Sequence, residues 1–322
     1  MRRAEILHLL FEAPWEELRQ RAAATLAREK GSHVFVRGLI EFSNQCRRNC
    51  RYCGLRSPNR KLPRYALDAD EILAAAREAV AGGVDTIVLQ SGEYAVDAAW
   101  LAGVIDAIRR ELIVPVTLSV GEQPVAACAL WREAGAERFL LKHETADADL
   151  YAALHPGHTL AERVAQLRLL RGLGYEIGSG FMLGLPGQRP ESLADDILLA
   201  QELGVEMCGV GPFIAQADTP LAAQPSGPVD LTLRVMAVLR LALPWANLPA
   251  TTALATLDPN TGQAEGLRAG GNVLMPSFTP PRYRQEYRIY DNKNRVSLQD
   301  ARKAVAAAGR RCGLELSESR KL

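Results

Sequence analysis

The chain has 322 residues, of which 48% are hydrophobic and 23% charged, enough to bury the core of one full-sized catalytic domain. Its 38 Lys and Arg residues nearly balance 37 Asp and Glu residues, so the net charge of +1 gives no case for nucleic-acid binding. Residues 1–26 mix charged and apolar positions, unlike a signal peptide, and no later run of 18 apolar residues occurs. We therefore expect a cytoplasmic protein with a small-molecule substrate, and neither nucleic acid nor membrane as a partner.

Short apolar strands alternate with longer helices along the predicted secondary structure. Two helices come first, at 4–11 and 14–29. The predicted strands are 34–42, 86–90, 116–119, 138–142, 176–181, 207–212, 248–252 and 272–275. The other predicted helices are 68–81, 97–110, 124–134, 159–173, 190–203, 229–243, 260–269 and 298–309. Eight alternating units predict parallel strands that close into a (β/α)8 TIM barrel, an α/β fold.

This alternation also predicts the domain limits and the position of a site. We expect an N-terminal helical cap over 1–33, the barrel over 34–310 and a polar C-terminal tail over 311–322. In barrels of this kind, chemistry occurs at the C-terminal ends of the strands. Polar or glycine-rich clusters follow the predicted strands, at 91–93, 143–145, 180–187 and 251–252. We expect the active site at that end.

Three cysteines follow the first predicted strand at CxxxCxxC spacing, Cys46, Cys50 and Cys53. A cubane 4Fe-4S cluster normally takes four thiolates, so three leave one iron open for chemistry. A zinc site would need a second pair of ligands, which the chain lacks, and a disulfide would leave one cysteine over. The loop also carries three arginines, which we expect to compensate a thiolate-rich cluster and lower the thiol pKa values. They are Arg47, Arg48 and Arg51.

The cysteine spacing, with the aromatic Tyr52 before the third cysteine, resembles the radical S-adenosylmethionine (SAM) superfamily. The resemblance implies that SAM binds the open iron and is cleaved to methionine and a 5'-deoxyadenosyl radical. Seven further stretches, in order, resemble the FeFe-hydrogenase maturase HydE family. They are 36–44, 89–93, 143–146, 182–188, 211–214, 249–252 and 283–285. The similarity to that family extends over roughly 34–290.

The family resemblance implies roles for individual residues. Cys46, Cys50 and Cys53 would hold one 4Fe-4S cluster. The residues matching SAM contacts are Tyr52, Ser91, Gly92, Glu93, Glu144, Arg163 and Met207. Those matching the substrate cavity are Arg37, Gln90, Thr117, Lys142, Thr251, Thr252, Tyr287 and Tyr290. The implied substrate is a cysteine-derived iron complex bearing CO and cyanide, used to assemble the hydrogenase cofactor. Implied partners are other hydrogenase maturases and a reductant such as ferredoxin or flavodoxin.

Several of these residues allow two interpretations of their role. Met207 is as typical of barrel packing as of an adenine contact, and His143 suits a structural role at least as well as a catalytic one. Arg37 suits an ion pair inside the barrel or an anion clamp, and the resemblance favours the clamp. Cys128 and Cys208 are predicted to be buried structural thiols.

The sequence also departs from the family pattern. Lys142 replaces the family's arginine, and an ammonium cannot make the same bidentate contact. Only Cys312 lies near the C-terminus, which argues against a second cluster there.

Other functions compete with this interpretation. An amino-acid mutase resembling 3-methylornithine synthase shares the barrel and the cysteine spacing. Biotin synthase is disfavoured, because its second cluster needs more cysteines than Cys128 and Cys208 supply. A different class, a non-catalytic iron-sulfur protein for electron transfer or scaffolding, would not need the SAM-facing residues at strands two, four and five.

Overall fold

A computed structural model describes residues 1–84 and 86–313, and over these residues strands and helices alternate. The strands are β1 His33–Val36, β2 Gly38–Ser43, β3 Ile87–Ser91, β4 Val116–Ser119, β5 Ala136–Leu140, β6 Glu176–Ser179, β7 Met182–Leu183, β8 Met207–Cys208, β9 Gly211–Pro212, β10 Val273–Leu274 and β11 Arg311–Gly313. The helices are α1 Arg3–Phe11, α2 Trp15–Lys30, α3 Ala69–Ala81, α4 Ala98–Leu112, α5 Val125–Glu133, α6 Ala148–Leu154, α7 Leu160–Gly172, α8 Pro190–Leu203, α9 Val229–Ala242, α10 Thr252–Leu257, α11 Gly262–Arg268, α12 Pro281–Arg284 and α13 Leu298–Ala307.

Parallel pairing joins the strands into a ring. The largest sheet has the order β2-β3-β4-β5-β6-β8, and β10 pairs with β1, which leads directly into β2. Isolated parallel bridges complete the circle, from Met207 to Asn247 and from Pro249 to Val273. The strands of this ring are largely buried, and the intervening helices pack outside them. The predicted α/β barrel is therefore confirmed.

Four predicted strands are interrupted in the structure. The segment 176–181 ends as a strand at Ser179, and 207–212 is divided into β8, which pairs with β6, and β9, which pairs with β7. The segment 34–42 is not one strand, because the chain changes partners at Arg37. Before Arg37, β1 pairs with β10 and β11, and after it β2 pairs with β3. The segment 248–252 makes only isolated bridges, since Pro249 has no N–H to donate and helix α10 already begins at Thr252.

Helix ends follow local sequence closely. Asp68 caps α3 in a capping box with Glu71, as its position before the apolar pattern predicts. Thr159 and Glu162 form a second capping box, which fixes the first turn of α7 and therefore the position of Arg163. Helix α6 was not predicted, although Asp147 caps it.

The N-terminal helices pack against the outer helices α8 and α9. Arg234 of α9 donates to the backbone carbonyls of Leu9, Leu10 and Ala13 and so ties α1 to the barrel. At the other end of the chain, β11 pairs with β1, so the first three residues of the predicted tail form a strand. Residues 314–322 of that tail lie outside the described residues. No helix in the described segments is long and apolar enough to span a membrane.

Candidate active site at the C-terminal end of the barrel

The predicted site residues follow the C-terminal ends of successive parallel strands. The cysteine loop follows β2, Gly92 and Glu93 follow β3, and Lys142 and Glu144 follow β5. The backbone N–H of Arg47 donates to the carbonyl of Glu93 at 2.7 Å, so the cysteine loop is joined to the end of β3. Parallel strands bring these segments to one rim of the barrel.

The three thiols of the cysteine loop interact electrostatically. Burial, and after it the nearby Cys46, raise the pKa of Cys50 to about 12. Burial and then the other two thiols raise the pKa of Cys53 well above its usual value. The prediction that the loop arginines lower the thiol pKa values was wrong. Burial of the thiols and repulsion between them outweigh the effect of the arginines. The thiols are therefore protonated until a metal displaces their protons.

The donor set of the loop suits an iron-sulfur cluster, because Cys46, Cys50 and Cys53 are free, partly buried thiols and thiolates are the protein ligands of such clusters. Among the described residues, no group of three or more His, Cys, Asp or Glu side chains is placed to hold a single metal ion. Gly92 lies against the loop, and a Cβ there would stand 2.3 Å from the carbonyl oxygen of Gln45 and 2.9 Å from Cβ of Cys46. Only glycine fits at this close approach.

A network of charged side chains lies next to the cysteine loop. Arg48 is ion-paired with Glu93, and its Nη2 is 2.5 Å from Oε2 of Glu122. The backbone N–H of Glu122 donates to Oε2 of Glu93 at 2.9 Å. Arg163 donates from Nε to Oε1 of Glu122 at 2.6 Å and from Nη1 to the carbonyl of Lys142 at 2.9 Å. Glu93 and Arg163, both predicted SAM contacts, are therefore linked through Glu122.

Arg163 remains charged in this buried position. Burial opposes its charge, but Tyr151 and Glu122 raise its pKa above the ordinary value. Tyr151 is itself fully buried, and its hydroxyl has no hydrogen-bond partner among the described residues. A cationic guanidinium and a hydroxyl therefore adjoin the cysteine loop, and both are groups that bind carboxylates.

Lys142 and Glu144 form an ion pair at the end of β5. Nζ of Lys142 is 3.1 Å from Oε2 of Glu144. Burial opposes ionisation of Glu144, but the charges of Lys142, His155 and Arg163, together with the hydrogen bond from Lys142, lower the pKa of Glu144. The backbone of Glu144 is left-handed, with φ of 65°, and is fixed by hydrogen bonds to Gly180 and Met182. One predicted substrate residue is thus paired with one predicted SAM residue.

Polar groups also line the barrel interior. Nη1 of Arg37 is 3.1 Å from the sulfur of Met207, and both residues line a cavity with Thr117. The hydroxyls of Thr117 and Thr251 are buried without a hydrogen-bond partner among the described residues. Met207, predicted to contact SAM, therefore contacts a residue predicted to bind substrate.

The segment 276–297 supplies the remaining predicted substrate residues. Gln90 donates to the hydroxyl of Tyr287 at 3.0 Å, and Tyr290 hydrogen-bonds the side chain of Thr256. The hydroxyl of Thr256 in turn donates to the carbonyl of Thr252 at 2.9 Å. These contacts connect β3 and α10 to the segment 276–297.

Four charged or aromatic residues near the site were missed at the sequence level. Lys293 lies 4.9 Å from the ring centre of Tyr287 and is ion-paired with Glu41, which is buried in β2. His155 is 2.9 Å from the hydroxyl of Tyr52. Glu122 bridges Arg48 and Arg163. Of these four, only Glu41 could have been found from the sequence, because it is a charged residue inside the apolar strand β2.

Burial and hydrogen-bond partners indicate the roles of His143 and of the cysteines outside the loop. His143 is fully buried, with Nδ1 2.9 Å from the hydroxyl of Ser179 and Nε2 3.6 Å from Asp196. These partners favour its structural role. Cys128 and Cys208 are fully buried, as predicted, while Cys312 is exposed on β11.

His155 predicts a pH dependence of stability. Burial lowers its pKa from 6.5 to about 4. The unfolded chain binds this proton first, so the contribution is complete above pH 6.5 and is lost as the pH falls toward 4. The loss amounts to about 3 kcal/mol in the free energy of unfolding. Urea unfolding across this range should show a smaller decline for His155→Gln than for the wild type. The exposed His8→Gln should keep the wild-type decline, and an equal decline in all three proteins would contradict the assignment.

The barrel and its three-cysteine loop define a class of enzyme, and comparison with known proteins agrees. The Radical SAM superfamily model matches residues 40–200. The chain is 47% identical over 273 residues to the [FeFe] hydrogenase maturase subunit HydE of Thermotoga maritima, covering 84% of this chain and 77% of that protein. The chain therefore belongs to the radical SAM superfamily and, within it, to the HydE family. It is a radical SAM enzyme, and the superfamily implies a 4Fe-4S cluster and SAM.

More distant relatives share the fold. The chain is 29% identical over 253 residues to 3-methylornithine synthase of Methanosarcina acetivorans, covering 77% of this chain and 71% of that protein. The crystal structure of methylornithine synthase (PylB) matches with a TM-score of 0.85 at 26% identity, covering 97% of this chain and 94% of that chain. The shared fold therefore extends over nearly the whole chain.

Proposed function

We propose that this enzyme acts in [FeFe] hydrogenase maturation. It would cleave SAM at one 4Fe-4S cluster held by Cys46, Cys50 and Cys53, and act on a small cysteine-derived iron complex bearing CO and cyanide. When bound, the cluster supplies the electron that cleaves SAM to methionine and a 5'-deoxyadenosyl radical. The observation that carries the proposal is the cluster-compatible cysteine loop at the barrel rim, in a chain 47% identical to a HydE maturase.

The charged network beside the cysteine loop would bind SAM. The guanidinium of Arg163 suits the SAM carboxylate, since a planar fork binds a carboxylate with two hydrogen bonds. Glu93 and the carbonyls around it suit the amino group. Glu144, kept anionic by Lys142, would accept hydrogen bonds from the ribose hydroxyls. Tyr52 and Met207 complete the proposed set of SAM contacts, with Ser91 and Gly92 at the end of β3.

The barrel interior would hold the substrate. Arg37 and Lys142 bring positive charge. The hydroxyls of Thr117 and Thr251, which have no hydrogen-bond partner in the described part of the chain, offer hydrogen bonds to a small anionic ligand. Gln90 and Tyr287 form one side of this proposed cavity. Thr252 and Tyr290 complete the proposed set. The product would pass to other hydrogenase maturases.

Anaerobic reconstitution with iron and sulfide tests the proposal. The protein should bind about four irons per chain and, with dithionite, should form 5'-deoxyadenosine from SAM. Adding the cysteine-bound iron dicarbonyl cyanide complex should consume that complex and give a carbon-centred radical by electron paramagnetic resonance. Failure to cleave SAM would refute the enzymology, and cleavage with an unchanged complex would refute the substrate.

Lys142 favours a second candidate, an amino-acid mutase resembling 3-methylornithine synthase. Replacing the family's arginine with a point charge changes how an anion is held at the rim. The same reconstituted enzyme, incubated with single amino acids, should then form 3-methylornithine, detected by mass spectrometry. The Lys142→Arg variant, which restores a planar guanidinium, should increase turnover of the iron complex if the enzyme acts in hydrogenase maturation.

A further inference from the structure

Helix α6, which was not predicted from the sequence, is attached to the cysteine loop at its C-terminal end. The backbone N–H of Arg51 donates to the carbonyl of Leu154, the last residue of the helix, at 2.9 Å. The hydroxyl of Tyr52 lies 2.9 Å from Nε2 of His155, the residue after the helix. These two contacts fix α6 relative to the loop that carries the three thiols.

Tyr151 lies in the middle of α6 and is fully buried. Its ring stacks on the ring of His155, with 4.1 Å between the ring centres and 23° between the ring planes. Because His155 also contacts the hydroxyl of Tyr52, the stack holds the ring of Tyr151 in a fixed position behind the cysteine loop.

The hydroxyl of Tyr151 has no hydrogen-bond partner in the described part of the chain. A buried hydroxyl of this kind has lost its hydrogen bonds to water without gaining others, which destabilises the fold. Such a group is therefore a candidate for binding a ligand rather than for holding the protein together.

Charged groups of the proposed SAM site surround this hydroxyl. Burial raises the pKa of Tyr151 to about 12, although the charge of Arg163 lowers it. Glu122, Glu144 and Cys50 also raise this pKa, so all of them lie within electrostatic range of the hydroxyl. The hydroxyl therefore keeps its proton at neutral pH and can donate a hydrogen bond next to Arg163.

We infer that the hydroxyl of Tyr151 donates a hydrogen bond to the carboxylate of bound SAM, beside the guanidinium of Arg163. The inference rests on the proposed function, because it requires SAM at the cysteine loop. A carboxylate has two oxygens, so it can accept from a guanidinium and a hydroxyl together. Tyr151 would then be a SAM-binding residue that the family resemblance did not supply.

Urea unfolding of the metal-free protein tests whether the hydroxyl serves the fold. Tyr151→Phe removes the hydroxyl and keeps the ring against His155. This variant should unfold at the same or a higher urea concentration than the wild type, since no hydrogen bond is lost. Tyr175→Phe is the matched control, because Tyr175 is also buried but its hydroxyl donates to the carbonyl of Cys128 at 2.8 Å. The control should unfold at a lower urea concentration.

Equilibrium dialysis of SAM with the reconstituted protein, without reductant, tests whether the hydroxyl serves the ligand. Tyr151→Phe should bind SAM about 10-fold more weakly than the wild type, because hydrogen bonds to charged groups are among the strongest. Tyr175→Phe should bind SAM like the wild type. Both variants should keep about four irons per chain.

The two products of SAM cleavage locate the hydrogen bond. Tyr151→Phe should bind methionine about 10-fold more weakly and 5'-deoxyadenosine like the wild type, since only methionine carries the carboxylate. Weaker binding of 5'-deoxyadenosine alone would overturn the inference, because the hydroxyl would then serve the ribose or the base.

Two further results would also overturn the inference while leaving the proposed function intact. One is wild-type SAM affinity in Tyr151→Phe. The other is unfolding of metal-free Tyr151→Phe at a lower urea concentration than the wild type, which would mean that the hydroxyl has a partner within the fold. Failure of the reconstituted wild type to bind SAM would instead refute the proposed function, and the inference with it.

Discussion

The Cys50→Ala variant is expected to take up no stable cluster and to form 5'-deoxyadenosine only at background level. Cys50 is the middle cysteine of the loop, and its thiol interacts with both Cys46 and Cys53. Two remaining thiolates would leave two corners of a cubane without protein ligands. Iron analysis and visible absorbance after anaerobic reconstitution measure the first effect, and chromatography of the SAM cleavage products measures the second.

Cys312→Ala provides the control for this experiment. Cys312 is exposed on β11, which pairs with the start of β1 at the end of the barrel opposite the cysteine loop. The variant should keep about four irons per chain and the wild-type cleavage rate. If it lost iron, a second cluster would exist. If Cys50→Ala kept its cleavage activity, the cluster site proposed here would be in the wrong place.

Local sequence signals were sufficient for the barrel and the cysteine loop. The thiol spacing lies within eight residues, and the apolar runs that form β3 and β4 are short and bounded by turn residues. Caps such as Asp68 fix helix starts through bonds to residues three positions away. Such features depend on neighbours in the chain, so a single sequence reveals them.

Features that depend on distant partners were not predictable. Glu122 pairs with Arg48 and Arg163, which are 74 and 41 residues away, and nothing in the sequence around Glu122 indicates either partner. The split of the first predicted strand at Arg37 depends on which strands lie beside it. The thiol pKa values were misjudged for a related reason, because burial is set by the whole fold and the arginines were counted from the loop alone.

The partners of Glu122 bear on the proposed role of Arg163. The guanidinium of Arg163 is held by the Glu122 carboxylate and the Lys142 carbonyl. The SAM carboxylate would then compete with the existing hydrogen bond from Arg163 to Glu122, or would bind Arg163 in addition to it. Arg48 also contacts Glu122, so Glu122 would stay paired if Arg163 turned toward SAM. This arrangement orients Arg163 in advance, which reduces the entropy lost on binding.

The Arg163→Ala variant is expected to need about 10 to 100 times more SAM for half-maximal cleavage, because a charged hydrogen bond contributes about 1.5–3 kcal/mol. Its iron content should match the wild type, since Arg163 does not ligate the cluster. Titration of SAM against 5'-deoxyadenosine formation, with iron analysis on the same samples, measures both quantities. The SAM requirement of Arg163→Lys should fall between those of the wild type and Arg163→Ala, because lysine keeps the charge and loses the planar guanidinium.

Arg168→Ala is the matched control, because Arg168 lies on the same helix but is exposed and pairs with Glu202 on the surface. It should leave the SAM requirement unchanged, since exposed ion pairs contribute little. Loss of Arg163 also removes one partner of the half-buried Glu122, so the free energy of unfolding should fall by about 1–3 kcal/mol. The two effects are separable, because Glu122→Gln weakens the same ion pair while leaving Arg163 free to bind SAM. An unchanged SAM requirement in Arg163→Ala, together with the loss of stability, would mean that Arg163 serves the fold alone.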